Sequence, residues 1–373
     1  MSEIGVGIIG TGFMGKAHAF AYRAVSGVFG TARTPVLEVV ADNNAEAGQR
    51  AHRQLGFKRV TTDWRALVAD PAVAIVSITT PNVVHREMAL AAIAAGKHVH
   101  CEKPIAPSAE DARVMMEAAE KAGIVTQVGY NYIKNPLLQM ARDMVAAGEL
   151  GEIVSFRGIH AEDYMADPAV PYNWRVDPSG GGGVIADLGS HIIGMARFLI
   201  GPITSLIADL ETTVTERPVA PGASEKRTVL VDDQARLIVK FARGCSGSIE
   251  ASWVATGRKM QLGFELVGTK ASLVFTQERF NEMQLYRTGG DARHLGYTRI
   301  EAGPAHDPYV AFCVAPGHQI GFNDLKTIEV RDFLTAIEGG PHKGPDFREA
   351  WEIQKIIDLA IRSSRERQWL SVK

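Results

Sequence analysis

The feature that most restricts this chain is an apolar run, Ile4 to Ile9, that ends in Gly10-Thr11-Gly12-Phe13-Met14-Gly15 and passes into helix formers near Met14. The pattern GxGxxG is weak alone, but between a strand and a helix each glycine has a physical task. Gly10 permits a tight turn, Gly12 lets backbone approach a pyrophosphate, and Gly15 lets helix and strand pack closely. The first N–H groups of the helix then face the anion. Phe13 and Met14 fall within the same expected contact.

The second requirement of such a unit is an acid at the end of the next strand. Asp42, after Val39-Val40-Ala41, meets it. A carboxylate there binds ribose hydroxyls and repels a 2′-phosphate, and Asn43 and Asn44 supply no positive charge, so NAD is expected over NADP. Gly15 to Asp42 is 27 positions, longer than the usual ~20. Val25 to Pro35 is therefore expected to be an inserted loop, within which Arg33 is the charge that would oppose the NAD preference.

The remaining organisation follows from periodicity. From Ile4 to about Tyr130, apolar runs (Val6 to Ile9, Leu37 to Ala41, Ile75 to Thr79, His98 to Cys101, Val125 to Val128) alternate with helical stretches, the pattern of βαβ units feeding a parallel sheet covered on both faces. Ser108 is the expected N-cap for Ala109 to Lys121, and Gly123 the expected stop. A helix from Asn135-Pro136 to Ala147 follows. β-rich segments come next: Ile153 to His160, Ile203 to Thr215, Val229 to Phe241, Ser246 to Val254, Gly263 to Leu266 and Ser272 to Phe275. Helices near Asp324 to Glu338 and Phe347 to Arg365 end the pattern. The expected fold is α/β plus α+β: a doubly wound parallel sheet of Rossmann type over residues 1–130, then an α+β domain over 131–373 built on a large, mainly antiparallel open sheet.

Length supports two domains, since 373 residues exceed the ~250 to 300 at which one core stops growing. With 40 basic and 42 acidic residues the chain has no electrostatic footprint for nucleic acid or an anionic membrane. Cys101, Cys245 and Cys313 lack CxxC spacing, which disfavours a disulfide scaffold or a Cys-rich zinc site. The first apolar run lacks the basic flank of a signal sequence, and no apolar stretch is expected to reach the ~20 residues of a membrane span. A cytoplasmic location is the expectation.

Three further motifs occur in order: Thr80-Pro81-Asn82 with His85, Glu102-Lys103-Pro104, and Gly180 to Gly183 followed by Asp187 and His191. With the glycine turn, these resemble the Gfo/Idh/MocA family of NAD(P)-dependent sugar and cyclitol dehydrogenases over nearly the whole chain. The resemblance implies that Lys103 lies beside the nicotinamide ribose and the reactive hydroxyl, in a Lys-Pro step that is often cis. It implies that Asp187 and His191 face Lys103 across a cleft, that Thr80, Pro81, Asn82 and His85 line the adenosine side, and that Glu102 stands near the nicotinamide ribose. Trp174-Arg175 matches an element that approaches cofactor or substrate in relatives. Gly194 departs from the pattern, because many relatives carry a second Asp there. The resemblance further implies a sugar or cyclitol substrate and a homo-oligomer, dimer or tetramer, formed through the C-terminal sheet.

The chemistry can also be read from the residues. Asp187 and His191 are four apart in a segment expected to be one helix, Val184 to Leu199, and so share a face. Imidazoles with pKa near ~6.5 accept protons at neutral pH, which suits His191 to take the proton of a hydroxyl that loses hydride. Lys103 would stabilise the developing alkoxide and Asp187 would orient substrate or tune the pair. Tyr132, His160, Asp163, Tyr164, Asn173 and His318 are specificity candidates on loops. Residues 302–322, with His306, Asp307 and Tyr309, read as a substrate cover, a subunit contact or a solvated loop. No metal is expected: His160, Glu162, Asp187 and His191 could supply ligands, but the glycine turn would then go unused. Two other activities stay open, redox-assisted glycoside cleavage with tightly held cofactor and a dinucleotide-binding regulator without turnover.

Overall fold

The computed structural model describes residues 2–372, which divide into two compact units. One comprises the chain up to Lys134 together with Ile320–Glu352; the other comprises Asn135–Gln319 together with the chain from Ile353. The expected division at 130/131 into two contiguous segments therefore differs from the one found. A stretch distant in sequence completes the first unit, for a reason that lies in its packing.

The first unit runs β1 (Ser2–Ile9), α1 (Phe13–Phe29), β2 (Arg33–Ala41), α2 (Ala45–Leu55), β3 (Arg59–Thr61), α3 (Trp64–Ala69), β4 (Ile75–Ile78), α4 (His85–Ala94), β5 (His98–Cys101), α5 (Ala109–Ala122) and β6 (Thr126–Val128). The six strands form one parallel sheet in the order β3-β2-β1-β4-β5-β6. The order reverses between β1 and β4, and at such a switch point the strand ends leave a crevice for ligands. Local signals set the helix limits. Ser108 Oγ accepts the Asp111 N–H at the start of α5, and Gly123, at φ 65°, ends it. The expected insertion at Val25 to Pro35 is absent as a loop, because α1 continues to Phe29 and β2 begins at Arg33. A helix of 17 residues, not a loop, accounts for the long spacing to Asp42.

The second unit holds α6 (Pro136–Ala146), β7 (Ile153–Ala161), α7 (Ser190–Ile200), β8 (Ile203–Glu211), β9 (Glu216–Pro218), β10 (Lys226–Thr228), β11 (Gln234–Phe241), β12 (Ser246–Ser252), β13 (Gln261–Gly268), β14 (Ala271–Thr276), β15 (Glu282–Arg287) and β16 (Thr298–Glu301). After α8 (Phe322–Ile337) and α9 (Phe347–Glu366), β17 (Leu370–Ser371) joins the same sheet. Its order is β16-β15-β14-β13-β7-β12-β11-β8-β17, antiparallel except between β7 and β12. Along β11, Ala235, Leu237, Val239 and Phe241 are buried, while Arg236, Ile238 and Lys240 are exposed, so one face is core and the other open. The strand expected over Ile203 to Thr215 stops at Glu211. There the Asp233 carboxylate takes the N–H groups of Thr213 and Val214 at 2.9 and 2.6 Å, replacing ladder partners.

Two other expectations change. The segment Pro178–Ile200 is long and apolar enough to span a bilayer, with a window of mean hydropathy 1.4, but 83% of that window is buried inside the protein. It is a core segment. Nor is Val184 to Leu199 one α-helix: Ile185–Gly189 form a π-turn that leads into α7.

The outlying helix α8 belongs to the first unit because its apolar side closes that core. Val330, Phe333 and Leu334 pack with Ile4, Val6 and Ile8 of β1 and with Ala19, Tyr22 and Val25 of α1. Each large apolar side chain so buried stabilises the unit by about 1.5–3 kcal/mol. The same helix also buries Lys326, Glu329 and Asp332, three charges spaced three apart.

Candidate functional site

In the first unit, the turn after β1 is built as its glycines require. Gly10 has φ 97°, and a Cβ there would lie 2.8 Å from the Thr79 carbonyl oxygen. A Cβ on Gly15 would lie 2.2 Å from the Gly10 carbonyl oxygen, so helix and strand could not approach as they do. At Gly12 a Cβ would meet no protein atom within 4 Å. The protein makes no use of that bareness, which leaves the backbone open to a ligand. No side chain caps α1 at Gly12, and the helix N-terminus therefore favours an anion. These features fit the pyrophosphate of a dinucleotide. Phe13 is 73% exposed beside the turn, and its ring lies 5.5 Å from that of Phe322, which in turn lies 6.1 Å from Tyr132.

Asp42 is fixed at the end of β2. Its Oδ2 accepts the Thr11 N–H at 3.0 Å and the Thr11 hydroxyl, and its Oδ1 accepts the Asn44 N–H at 2.9 Å. Across the switch point the Thr79 hydroxyl donates to the Ile9 and Gly10 carbonyls. Asn82 opens a short 3₁₀ turn after Thr80-Pro81 and is buried. His85, expected to line the adenosine side, is instead fully buried. Its Nε2 lies 2.8 Å from the Thr80 carbonyl oxygen and its Nδ1 3.2 and 3.3 Å from those of Pro104 and Ile105. It ties two loops together, and burial lowers its pKa.

The Lys103–Pro104 peptide is cis. Glu102 is buried, and its Oε2 accepts the Lys103 N–H at 3.2 Å. A Cβ on Gly129 would lie 2.3 Å from Glu102 Oε1, so only glycine admits the carboxylate at that place.

In the second unit, the π-turn carries Asp187, whose Oδ2 accepts the Tyr164 hydroxyl at 2.8 Å and Arg175 Nε at 3.1 Å. Partial withdrawal from water and the Asp187 charge push the Tyr164 phenol well above its ordinary pKa, so it stays a donor. The Arg175 guanidinium lies 4.5 Å over the Trp174 ring, and Asn173 Oδ1 accepts the Arg175 N–H at 3.0 Å. His160 and His191 meet edge to face with ring centroids 5.5 Å apart. Nδ1 of His160 lies 3.0 Å from the Leu188 carbonyl oxygen in the π-turn, and its Nε2 3.1 Å from Glu162 Oε1. Tyr164, Asn173, Trp174, Arg175, Asp187, His160 and His191 are thus brought together.

Tyr132 belongs to the first unit, and two candidates of the second unit are also not in this cluster. Asp163 accepts Lys259 Nζ at 2.7 Å and the Gly257 N–H at 3.0 Å, an arrangement that lowers its pKa and commits it to the turn before β13. His318 is exposed in the irregular stretch before α8 and stands outside this hydrogen-bonded cluster. That stretch is braced internally: buried Tyr309 accepts the Gln319 N–H at 3.0 Å through its hydroxyl oxygen.

One residue that sets this geometry was missed in the sequence. Asp232 Oδ2 accepts the Ile185 N–H at 2.8 Å and Oδ1 that of Gly183 at 3.3 Å, anchoring the start of the π-turn. A Cβ on Gly183 would lie 2.2 Å from the Asp232 carbonyl oxygen, which explains the last glycine of the run. Burial pushes the Asp232 carboxyl up to about 6, against those N–H bonds. The available signal was the pair Asp232-Asp233 interrupting an apolar run.

A parallel switch-point sheet with this turn, followed by an open antiparallel sheet bearing the Asp and His cluster, defines a two-domain dinucleotide oxidoreductase. Comparison with known proteins agrees. Residues 4–130 match the model of an oxidoreductase family with NAD-binding Rossmann fold, and residues 138–274 match the GFO/IDH/MocA C-terminal domain. The chain belongs to the Gfo/Idh/MocA oxidoreductase family. It is 37% identical over 385 aligned positions to levoglucosan dehydrogenase of Pseudarthrobacter phenanthrenivorans, covering 100% of this chain and 99% of that one. Inositol 2-dehydrogenase of Rhizobium meliloti is 28% identical, with 98% of each chain covered. Among solved structures, a levoglucosan dehydrogenase in complex with NADH and levoglucosan superposes with a TM-score of 0.95 at 38% identity over the whole of both chains. The cofactor is NAD, and the protein is an oxidoreductase of the sugar and inositol dehydrogenase type.

Proposed function

We propose that this protein oxidises a secondary hydroxyl of a pyranose sugar or cyclic polyol to the ketone or lactone, with His191 as proton acceptor and Lys103 stabilising the alkoxide oxygen. Bound NAD supplies the hydride acceptor. The hydroxyl proton passes to the His191 imidazole as the C–H bond is broken, and the Lys103 ammonium donates to the oxygen on which charge develops. Asp187, oriented by Tyr164 and Arg175, accepts a hydrogen bond from a neighbouring substrate hydroxyl and fixes the reacting carbon. Gly10, Gly12, Phe13, Met14, Gly15, Asp42, Thr80, Pro81 and Asn82 hold the dinucleotide in this reading, with Glu102 setting the backbone at Lys103.

The observation that carries the reading is the second unit's cluster. One carboxylate held by a phenol and a guanidinium stands with two imidazoles 5.5 Å apart. That set suits a polyhydroxylated neutral substrate and offers nothing to a phosphate except Arg175, already paired to Asp187. Levoglucosan is the first substrate to test, because the full-length relative at 37% identity bears that name; inositols and free aldoses follow. The reading extends to the cytoplasm as the site of action and to assembly through the open sheet face, where Ile238 is exposed between Arg236 and Lys240.

The test is steady-state release of NADH, followed by absorbance, with levoglucosan, aldoses and inositols, alongside the oligomeric state in solution. Accumulating NADH supports dehydrogenation. Substrate consumption without free NADH would overturn it in favour of redox-assisted cleavage, and NAD binding without turnover on the whole panel would favour a regulator.

A further inference from the structure

Behind Glu102 the first unit buries a continuous line of polar groups, most of which the proposed chemistry does not use. Ser77 Oγ lies 2.7 Å from His18 Nδ1, and His18 Nε2 lies 2.8 Å from Glu102 Oε1. Lys326 Nζ donates to the same Glu102 oxygen at 3.0 Å and to Glu329 Oε1 at 2.7 Å. That Glu329 oxygen lies 2.9 Å from His100 Nε2, and His100 Nδ1 lies 3.0 Å from the Tyr22 hydroxyl. Apart from Glu102, at 5%, none of these residues exceeds 1% exposure.

The donors and acceptors close only one way with both imidazoles neutral. Ser77 and Tyr22 donate to the Nδ1 atoms, and each Nε2–H donates to a carboxylate. Burial takes His18 down to about 3 and lowers His100, which agrees with neutral rings. Burial alone would raise both carboxylates, but the Lys326 ammonium and the histidine contacts together overcome it, with Lys326 the largest of the opposing influences, and hold Glu102 well below the usual range and Glu329 below it. This buried network thus contains two carboxylates and one ammonium.

His18, His100 and Glu329 also bring ligating atoms within 4.8 Å of one another, the spacing of a metal site. The arrangement argues against a metal. Both Nε2 atoms are engaged with carboxylates, and the Lys326 ammonium already bridges the two acids as a cation would.

We infer that Lys326 is a positioning residue for the reaction. It keeps Glu102 ionised and fixed, so that the second carboxylate oxygen holds the backbone N–H of Lys103 and sets the origin of that side chain. The link is direct: Glu102 Oε1 takes Lys326 and His18, and Oε2 takes the Lys103 N–H. The groups that face Glu102 are His18 with Tyr22 beyond it from α1, His100 and Cys101 from β5, Lys326 and Glu329 from α8, His85 from α4, and Lys103 itself. Lys326 is the cation that dominates among them; the Lys134 ammonium, paired at 2.7 Å with Asp332, acts on Glu329 instead.

This inference rests on the proposed role of Lys103, and its test is built to fail separately. In Lys326→Met, two buried carboxylates face each other without a cation, and one must take a proton. The infrared spectrum at neutral pH should gain a protonated-carboxyl stretch absent from the wild type, a readout that needs no substrate. With substrate, kcat should fall about tenfold or more, and kcat/KM should climb with pH across the range from about 6 to 9, unlike the wild type. Lys326→Met with Glu329→Gln removes one charge of each sign; it should abolish the new stretch and recover part of kcat. No new stretch in the folded single variant, or a pH profile unchanged in both variants, would overturn the inference. A new stretch reversed by the second substitution, in a protein that turns over no sugar or cyclitol, would leave the positioning of Glu102 intact and defeat only the proposed function.

Discussion

Thr11 donates its backbone N–H to Asp42 at 3.0 Å, across 31 residues of sequence, and so couples the glycine turn to the acid at the end of β2. One carboxylate oxygen is therefore committed to the turn, and the other is turned toward the Asn44 N–H. In the proposed reading, this fixed carboxylate is the group that meets the dinucleotide ribose.

Asp42→Ala should raise the Kd for NAD about 10- to 100-fold, the worth of one or two charge-assisted hydrogen bonds, and should narrow the preference over NADP by a similar factor. Titration of cofactor fluorescence with NADH and NADPH measures both. Unchanged discrimination would show that Asp42 merely ends a strand.

His191→Ala should lower kcat by about 100- to 10,000-fold, the range for loss of a general base, with Kd for NADH preserved. Lys103→Ala should also depress kcat severely. Full turnover in the histidine variant would remove His191 from the role of base.

Asp232 gives a stability prediction with a definite sign. Its folded pKa of about 6 lies above the unfolded value near 3.8, so the native state binds the extra proton between those pH values. Stability from this group is full below about pH 4 and declines as pH rises to about 6, by about 3 kcal/mol in all. Asp232→Asn removes that decline. Measured by denaturant unfolding, the variant should gain on the wild type as pH rises from 4 to 7, and a constant gap would refute the assignment.

The buried histidines act in the opposite direction. His18, His85 and His100 all have folded pKa values below the unfolded ~6.5, His18 at about 3. The unfolded chain then binds more protons, and stability falls as pH drops through 6.5 toward those folded values. Three imidazoles against one aspartate decide the net sign, so the thermal midpoint should fall from pH 7 to pH 5. A rise over that interval would contradict the neutral rings.

Much of the first unit was legible because its signals are local. Gly10, Gly12 and Gly15 read directly as a turn, Ser108 and Gly123 as the limits of α5, and Asp42 as the acid after β2. The second unit's strands β12 and β14 were placed to within two residues, but β11 begins at Gln234 rather than at the expected Val229, and β8 ended early, where Asp233 captures the N–H groups of Thr213 and Val214. The candidate site was legible as residue types. It was not legible as partners: Asp163 went to Lys259, His85 to backbone carbonyls, and Asp187 to Tyr164 and Arg175.

The sequence by itself determined the strand–turn–helix start and the parallel and antiparallel halves, because glycine geometry and side-chain periodicity act over a few neighbouring positions. Tertiary structure alone decided that α8 returns to the first unit, that Lys326 meets Glu102 across 224 residues, and that Asp232 holds the π-turn. Burial makes those choices. A charge removed from water must find a partner wherever the folded chain places one, and no local pattern records where that is.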